Sequence, residues 1–193
     1  MNELIEVSLD TENAEKNYNL AKWYETEGHN APAHTYYLRA SERSKDDMLA
    51  YQCLIRASFC YKNQGSRDST EKILLENALT FLPERPEAYY FLSVFYERKQ
   101  EWQNAYIYAS LGLRCYGKKI ASMNLPEYSG KHLLIFQKAV SSWWWGKSKE
   151  CRELFQSLMD NHWDQLDENY KKSVKDNMNF LNSQTRLKKF NRM

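Results

Sequence analysis

The stretch "NLAKWYETEGHNAPAHTYYLRA", residues 19–40, contains a spacing of residue types that recurs along the chain. Small, aromatic and glycine residues follow one another there at steps of 3, 4, 5, 4 and 3 residues. The same steps recur without a gap across residues 93–112 and 139–158, and with one additional turn residue across residues 58–78. The positions of the first copy are Ala21, Tyr24, Gly28, Ala33, Tyr37 and Ala40.

These steps have a direct structural meaning. Steps of three and four residues place side chains on one face of a helix, and the step of five crosses a turn. Each copy therefore predicts a helix, a tight turn and a second, antiparallel helix, with small residues where the two helices approach. The copies begin 37, 35 and 46 residues apart. Because one such unit cannot bury its apolar face alone, the spacing predicts an all-α, right-handed solenoid of about four stacked repeats.

The spacing resembles that of the tetratricopeptide repeat (TPR), whose small, aromatic, glycine and alanine positions are matched by the first copy. Pro83 lies where the terminal proline of that family stops the second helix of the second copy. The resemblance covers roughly residues 14–160. It implies the fold, whereas function depends on the sites that a particular chain carries on that fold.

The domain organisation follows from the same spacing. We expect a single domain over residues 1–185 and a basic tail at residues 186–193, interpreted as a frayed, solvated end in preference to a phosphate-binding one. Apolar residues on one helical face, Leu166, Tyr170, Val174, Met178 and Leu181, predict a capping helix at about residues 164–182. The repeats are expected at about residues 14–47, 51–85, 86–117 and 132–161, and residues 115–131 form an irregular connection.

A narrower resemblance concerns whole segments. The segments "AYQCLIRASFCYKNQG" (50–65), "LPERPEAYYFLSVFYERKQEWQNAYIYASLGL" (82–113), "KAVSSWWWGKSKECRELFQSLM" (138–159) and "VKDNMNFL" (174–181) are similar to the helical-repeat region that follows the catalytic domain in some bacterial and phage glycosyltransferases. This resemblance implies an accessory module of surface-polysaccharide glycosyl transfer, with a glycosyltransferase as partner. The chain shows no Gly-rich strand–turn–helix, Asp-x-Asp or βαβ pattern, so we expect no catalytic residues of its own.

Composition and charge limit the classes of function. The 27 basic and 25 acidic residues leave a net charge of +2, which predicts neither a nucleic acid nor a membrane as partner. The four cysteines, Cys53, Cys60, Cys115 and Cys151, form no C-x-x-C pattern and are interpreted as reduced thiols of a cytoplasmic protein. The first residues do not resemble a secretory signal, and no apolar run approaches the roughly 18 residues of a membrane span.

Candidate catalytic and metal-binding residues are few. The histidines, His29, His34, His132 and His162, are scattered, and none is paired with a serine or cysteine by spacing. The doublet Asp46–Asp47 is typical of a metal site or of a helix start, and its position favours the helix start. We therefore predict a non-enzymatic protein without metal or cofactor.

A binding site is expected on the first helix of each repeat, because this helix lines the inner groove of a TPR array. Some members hold a carboxylate there with a row of Asn and Lys or Arg, but Phe59 and Val94 occupy slots where Asn is expected. The groove is thus predicted to be aromatic and apolar and to bind a partner peptide or helix. The alternative is that a segment of the chain itself covers the groove, and an open surface at Phe59 and Tyr90 is favoured over it. The predicted groove residues are Tyr18, Lys22, Glu25, Ile55, Phe59, Lys62, Asn63, Tyr90, Val94, Glu97 and Arg98.

The three consecutive tryptophans 143–145 end the first helix of the fourth copy. Neighbouring helical residues are about 100° apart, so the three rings cannot all be buried on one stripe. Trp143 and Trp144 are expected on the groove side as a secondary site, covered by residues 115–131 or by a second copy of the chain in a homodimer. Trp145 is expected to pack on the second helix near Phe155. Packing is favoured over ligand stacking, since aromatic residues at helical spacing usually belong to a core.

Overall fold

The computed structural model describes residues 2–65, 67–116, 123 and 125–190, with the backbone alone at residue 2 and at residues 184–190. Within these ranges the chain is helical and contains no β-strand, which confirms the predicted all-α helical-repeat solenoid fold. The helices are α1 (Asn2–Leu9), α2 (Ala14–Thr26), α3 (Asn30–Arg43), α4 (Asp47–Gln64), α5 (Asp68–Phe81), α6 (Pro86–Arg98), α7 (Trp102–Arg114), α8 (Lys131–Trp144), α9 (Ser148–Asn161) and α10 (Glu168–Phe190), with a 3₁₀ turn at Trp163–Gln165.

The chain divides into two compact units, and the first is Met1–Ala88. It holds α1 to α5 and the start of α6, and α2 packs on α3, α3 on α4 and α4 on α5. The small and aromatic positions of the repeat spacing form its core, because they are the side chains that face the neighbouring helix. Buried members include Ala21, Ala33, Tyr37, Ala40, Ser58, Leu75 and Ala78.

The second unit is Tyr89–Met193 and holds the rest of α6 and α7 to α10. Its core joins the repeat positions Ala139, Cys151, Phe155 and Leu158 to Leu166, Val174 and Leu181 at its C-terminal end. The predicted capping helix is therefore present as α10, and it extends beyond the predicted bound to Phe190. The side chains of the predicted basic tail, and residues 191–193, lie outside the described residues.

Buried polar groups fix the start of α6 in the first unit. The side chains of Arg85 and Glu87 are buried and form two hydrogen bonds, one of them from Arg85 Nε to Glu87 Oε2 over 3.1 Å. The Tyr51 hydroxyl donates to Glu87 Oε2 over 3.3 Å and accepts from the Ala88 backbone N–H over 2.9 Å. Burial raises the pKa of Tyr51, and the neighbouring Glu87 raises it further, so the phenol stays a donor.

Polar side chains cap the starts of two helices in the first unit. The side chain of Asn13 accepts a hydrogen bond from the Lys16 N–H and caps α2. The side chain of Asp46 accepts from the Met48 N–H over 2.9 Å, and α4 begins at Asp47. The Asp46–Asp47 doublet is thus a helix start, as the sequence favours.

The turns between paired helices share a residue with positive φ. Gly28, Gly65 and Gly146 have φ values of 77°, 71° and 82°, and Gln100 occupies the same turn position with a φ of 58°. Gln100 is the one non-glycine residue with positive φ among the described residues. A side chain destabilises this left-handed conformation, because Cβ lies close to the following carbonyl oxygen. The third turn therefore carries backbone strain that the glycine turns lack.

Replacing Gln100 with glycine is expected to raise the free energy of unfolding by about 0.5–1 kcal/mol, because glycine adopts a positive φ without steric cost. Urea titration followed by circular dichroism measures this change. Gly146→Ala is the matched control and should change stability in the opposite direction by a similar amount. Equal stability of Gln100→Gly and wild type would contradict the assignment of strain to this turn.

Candidate functional site

The inner helices of the first unit present a continuous face, here called the α2–α4 face. Residues spaced by three or four positions lie on one side of a helix, so each helix contributes one row of side chains. The face consists of Tyr18, Lys22 and Glu25 on α2 and of Gln52, Arg56 and Phe59 on α4.

A cleft of about 290 Å³ opens at one end of this face. Its apolar part comes from Tyr18, Met48 and Leu49, each of which is half-buried. The other lining side chains are polar: Glu15, Asn19, Asp46 and Gln52. A lining of mixed apolar and polar side chains suits an extended or helical peptide, since it combines apolar burial with hydrogen-bonding groups.

A fixed charge pair lies farther along the face. The Arg56 guanidinium donates to Glu25 Oε1 over 3.3 Å and lies above the Phe59 ring, 5.9 Å from its centroid. The hydroxyl of buried Tyr37 donates to the other Glu25 oxygen over 2.6 Å. Because Glu25 is held from both sides, the groups that line this part of the face are ordered before any partner arrives.

The predicted groove residues of the first unit divide into three groups. Lys22, Lys62 and Asn63 are exposed, and Tyr18 and Phe59 are half-buried on the face. Ile55 has 0% exposure and belongs to the core, so its predicted position in the groove is wrong.

Sequence reasoning missed Gln52 and Arg56. The signal for both was their helical spacing from Phe59, since the three residues follow one another at steps of four and three. A charged side chain within the otherwise apolar middle of α4 was a second signal for Arg56.

In the second unit the structure corrects the prediction for Tyr90. Its exposure is 7%, and its ring centroid lies 5.1 Å from that of Tyr128. The Tyr90 and Tyr170 hydroxyl oxygens are 3.4 Å apart. Tyr90 thus does not face an open surface, because Tyr128 of the irregular connection and Tyr170 of α10 pack against it.

Two predicted groove residues near Tyr90 retain some exposure. Val94 is half-buried, and Arg98 is exposed with its guanidinium 5.6 Å from the Phe95 ring centroid. The partner-binding role of the whole predicted set stays a prediction.

The structure describes only part of residues 115–131, the segment that is predicted to cover Trp143 and Trp144. Leu125 is buried and Tyr128 lies against Tyr90 and Phe91, at the third repeat and not at the fourth. Residues 117–122 and 124 lie outside the described residues.

The three tryptophans have three different surroundings. Trp143 packs edge-on against Phe180 of α10, which covers it. Trp144 is 60% exposed and stacks on Trp102, with ring centroids 5.3 Å apart. A cover over it from the remaining residues of 115–131 or from a second copy of the chain stays a prediction. Trp145 contacts Tyr106 at 4.9 Å, and not the region of Phe155, because it faces α7 at the end of its helix. Phe155 instead contacts Phe136. The triplet therefore combines the packing of Trp143 with two exposed rings, Trp144 and Trp145.

The described residues show little that could support catalysis. His132 Nε2 lies 3.0 Å from Ser129 Oγ, but no carboxylate hydrogen-bonds to its Nδ1, and burial lowers the pKa of the imidazole. Burial also raises the pKa of the Cys53 thiol to about 12 and that of Cys151 to about 11, which disfavours the nucleophilic thiolate. Within the described ranges, no three His, Cys, Asp or Glu residues are grouped to hold a metal ion.

No helix among the described residues combines the length and the apolar composition that crossing a membrane requires.

Comparison with known proteins gives the fold class. No protein-family model matches the sequence, and no curated protein sequence matches it. The chain is similar to the structure of MamA (TM-score 0.67, 13% identity), over 84% of this chain and 86% of that one. It is also similar to TPR-like repeats of a putative kinesin light chain from Podospora anserina (TM-score 0.61, 14% identity), over 89% and 88%. The fold is a TPR-like helical repeat.

A third similar structure is longer than the matched region. The structure of PilF from Pseudomonas aeruginosa matches with a TM-score of 0.61 and 12% identity over 81% of this chain. The match spans 64% of PilF, which is less than two thirds of that chain. None of these comparisons supports the predicted resemblance to glycosyltransferase repeat regions.

Proposed function

We propose that this protein is a non-enzymatic interaction scaffold and that the α2–α4 face binds a peptide or helix of a protein partner. The observation that carries the proposal is the cleft at Tyr18, Met48 and Leu49, followed on the same face by the ordered Glu25–Arg56 pair. The TPR-like fold supports it, since solenoids of this kind present extended binding surfaces. A glycosyltransferase as partner, homodimerisation and a cytoplasmic location stay predictions from the sequence.

Phe59 is the expected anchor of this interaction. Aromatic residues at the centre of a binding face commonly contribute about 2 kcal/mol or more to binding, which is roughly a 30-fold change in Kd. The Arg56 guanidinium is held by Glu25 and lies over the Phe59 ring, so Phe59 has an ordered polar neighbour. Tyr18 supplies a second aromatic ring at the cleft end of the face.

Panning a random peptide library on the whole protein tests the proposal. Enriched peptides are resynthesised, and their Kd values are measured by calorimetry for wild type and two variants. Phe59→Ala is expected to weaken binding at least 30-fold. Phe81→Ala is the matched control, because Phe81 is exposed at the end of α5, outside the α2–α4 face, and it should leave Kd within about twofold.

Two outcomes would overturn the proposal: the absence of any enriched peptide, or peptides that bind Phe59→Ala and wild type equally well. Circular dichroism of both variants shows whether a loss of binding comes from a loss of fold.

A further inference from the structure

Aromatic rings and a lysine form a surface on the second unit, here called the tryptophan surface: Trp102, Tyr106, Trp144, Trp145 and Lys147. Trp144, at the end of α8, is 60% exposed and stacks on Trp102 of α7 with an interplanar angle of 19°. Trp145 is 36% exposed and contacts the Tyr106 ring. Packing on α7 therefore orients two neighbouring indole rings that remain exposed.

Lys147 adds a positive charge to this surface. Its Nζ lies 4.3 Å from the centroid of the Trp145 ring and 4.6 Å from that of the Tyr106 ring. Among the described residues, no carboxylate forms an ion pair with Lys147. Glu150 instead pairs with Lys138 over 2.9 Å and accepts a hydrogen bond from the Tyr106 hydroxyl over 2.8 Å. The two rings thus hold an ammonium group for which the described residues supply no counterion.

A shallow depression of about 500 Å³ adjoins the exposed tryptophans, because it begins at Gly146, directly after Trp145. Lys147 is half-buried and belongs to its lining, so a ligand in the depression can approach this residue from solvent. Lys149 also lines the depression and pairs with Glu153 at 3.9 Å. The depression therefore gives a ligand access to Lys147 next to the exposed rings.

These groups determine the chemistry of a complementary ligand. An exposed indole ring stacks favourably on a second aromatic ring. A partly desolvated ammonium attracts a carboxylate more strongly than an ammonium in bulk water, because the effective dielectric constant around it is lower. A ligand that combines an aromatic group with a neighbouring carboxylate therefore fits both features.

The charges of the depression favour a peptide over a single-stranded nucleic acid. A nucleic acid requires several cations along its backbone. The two lysines in the lining are balanced by Glu150 and Glu153, so the depression has little net attraction for a row of phosphates. A single acidic side chain needs only the ammonium of Lys147.

We propose that the tryptophan surface is a second peptide-binding site, which takes an aromatic residue next to an aspartate or glutamate. The aromatic residue stacks on Trp144, and the acidic side chain pairs with Lys147. The proposal is independent of the α2–α4 face, because all its residues lie on α7, on α8 or in the turn after α8.

Panning a random peptide library in parallel on wild type and on Trp144→Ala tests the site. Peptides that are enriched on wild type and lost on the variant are expected to carry an aromatic residue next to an acidic one. Their Kd, measured by calorimetry, should rise at least tenfold for Trp144→Ala. Ile107→Ala is the matched control, because Ile107 is exposed on α7 but lies about 140° around the helix from Trp102.

Lys147→Met tests the charge, since methionine keeps an unbranched stem and removes the ammonium. The variant is expected to bind the acidic peptides about tenfold more weakly than wild type and to bind their Asn or Gln analogues as wild type does. Lys147→Arg keeps the charge and should retain most of the affinity. Lys172→Met, at an exposed position on α10, is the matched control.

The proposal is overturned if no enriched peptide depends on Trp144, or if the dependent peptides lack acidic residues and bind Lys147→Met as tightly as wild type. Peptides lost on Phe59→Ala but kept on Trp144→Ala belong to the α2–α4 face, so the two sites succeed or fail separately.

Three further measurements identify a different occupant and would also overturn the proposal. A labelled single-stranded oligothymidylate that binds wild type but not Trp144→Ala would assign the surface to nucleic acid. Self-association in analytical ultracentrifugation that is lost in Trp144→Ala would assign it to a second copy of the chain. A large drop in the melting temperature of Trp144→Ala would show that the chain itself covers the ring.

Discussion

Replacing Glu87 with alanine is expected to lower the free energy of unfolding by about 3–5 kcal/mol. The change leaves the Arg85 guanidinium, at 2% exposure, without the carboxylate that holds it, and it removes the acceptor of the Tyr51 hydroxyl. Removing one partner of a buried ion pair costs far more than losing a surface contact, because water does not reach the remaining charge to replace the lost carboxylate. Urea titration followed by circular dichroism measures the loss.

Glu76→Ala is the matched control for this prediction. Glu76 pairs with Lys72 at 3.1 Å on the half-exposed side of α5, and an ion pair of this kind contributes about 0.5 kcal/mol. The double variant Arg85→Met/Glu87→Leu should recover much of the stability that Glu87→Ala loses, since it leaves no buried charge unpaired. If Glu87→Ala and Glu76→Ala were equally stable, the buried pair would not have the role assigned to it.

Tyr90→Ala is the second change with a large expected effect, again a loss of about 3–5 kcal/mol. Its ring fills a space between Tyr128 and Phe91, and truncation would leave a cavity that rigid neighbours cannot fill. Tyr90→Phe should cost only about 1 kcal/mol, because it keeps the ring and removes the hydroxyl that faces Tyr170. Thermal melting of the two variants gives the comparison.

The same melting experiment distinguishes a covered ring from an open binding surface. Phe59→Ala is the reference, since Phe59 is half-buried and its loss should reduce stability much less than the loss of Tyr90. A melting temperature of Tyr90→Ala close to that of wild type would show that Tyr128 and Tyr170 do not cover the ring in solution.

The helix pairs could be predicted because the repeat spacing identifies the side chains that face a neighbouring helix. Ala139, Ser142, Cys151 and Phe155 are buried even though the fourth copy departs from the usual residue types. The spacing also predicted a turn position at Gln100, although glutamine is not a usual turn residue. The backbone there has the positive φ of the glycine turns. Local periodicity was sufficient for these features.

Contacts between residues far apart in the chain could not be predicted in the same way. The cover over Tyr90 comes from Tyr128 and Tyr170, which lie outside the repeat spacing. The exposed Trp144 stacks on Trp102, a pairing that depends on how α7 and α8 pack. Helix α1 has no counterpart in the repeat, so the repeat spacing did not predict it. Each case required knowledge of which elements become neighbours.

The hydrogen bonds of Glu25 have a consequence for how this array can change during evolution or design. Glu25 receives one donor from Tyr37 of its own repeat and another from Arg56 of the following repeat. Deleting or exchanging the first repeat alone would remove the Glu25 carboxylate from the Arg56 guanidinium. We therefore expect a transplanted array to keep these contacts only when the first two repeats are moved together, as one cassette.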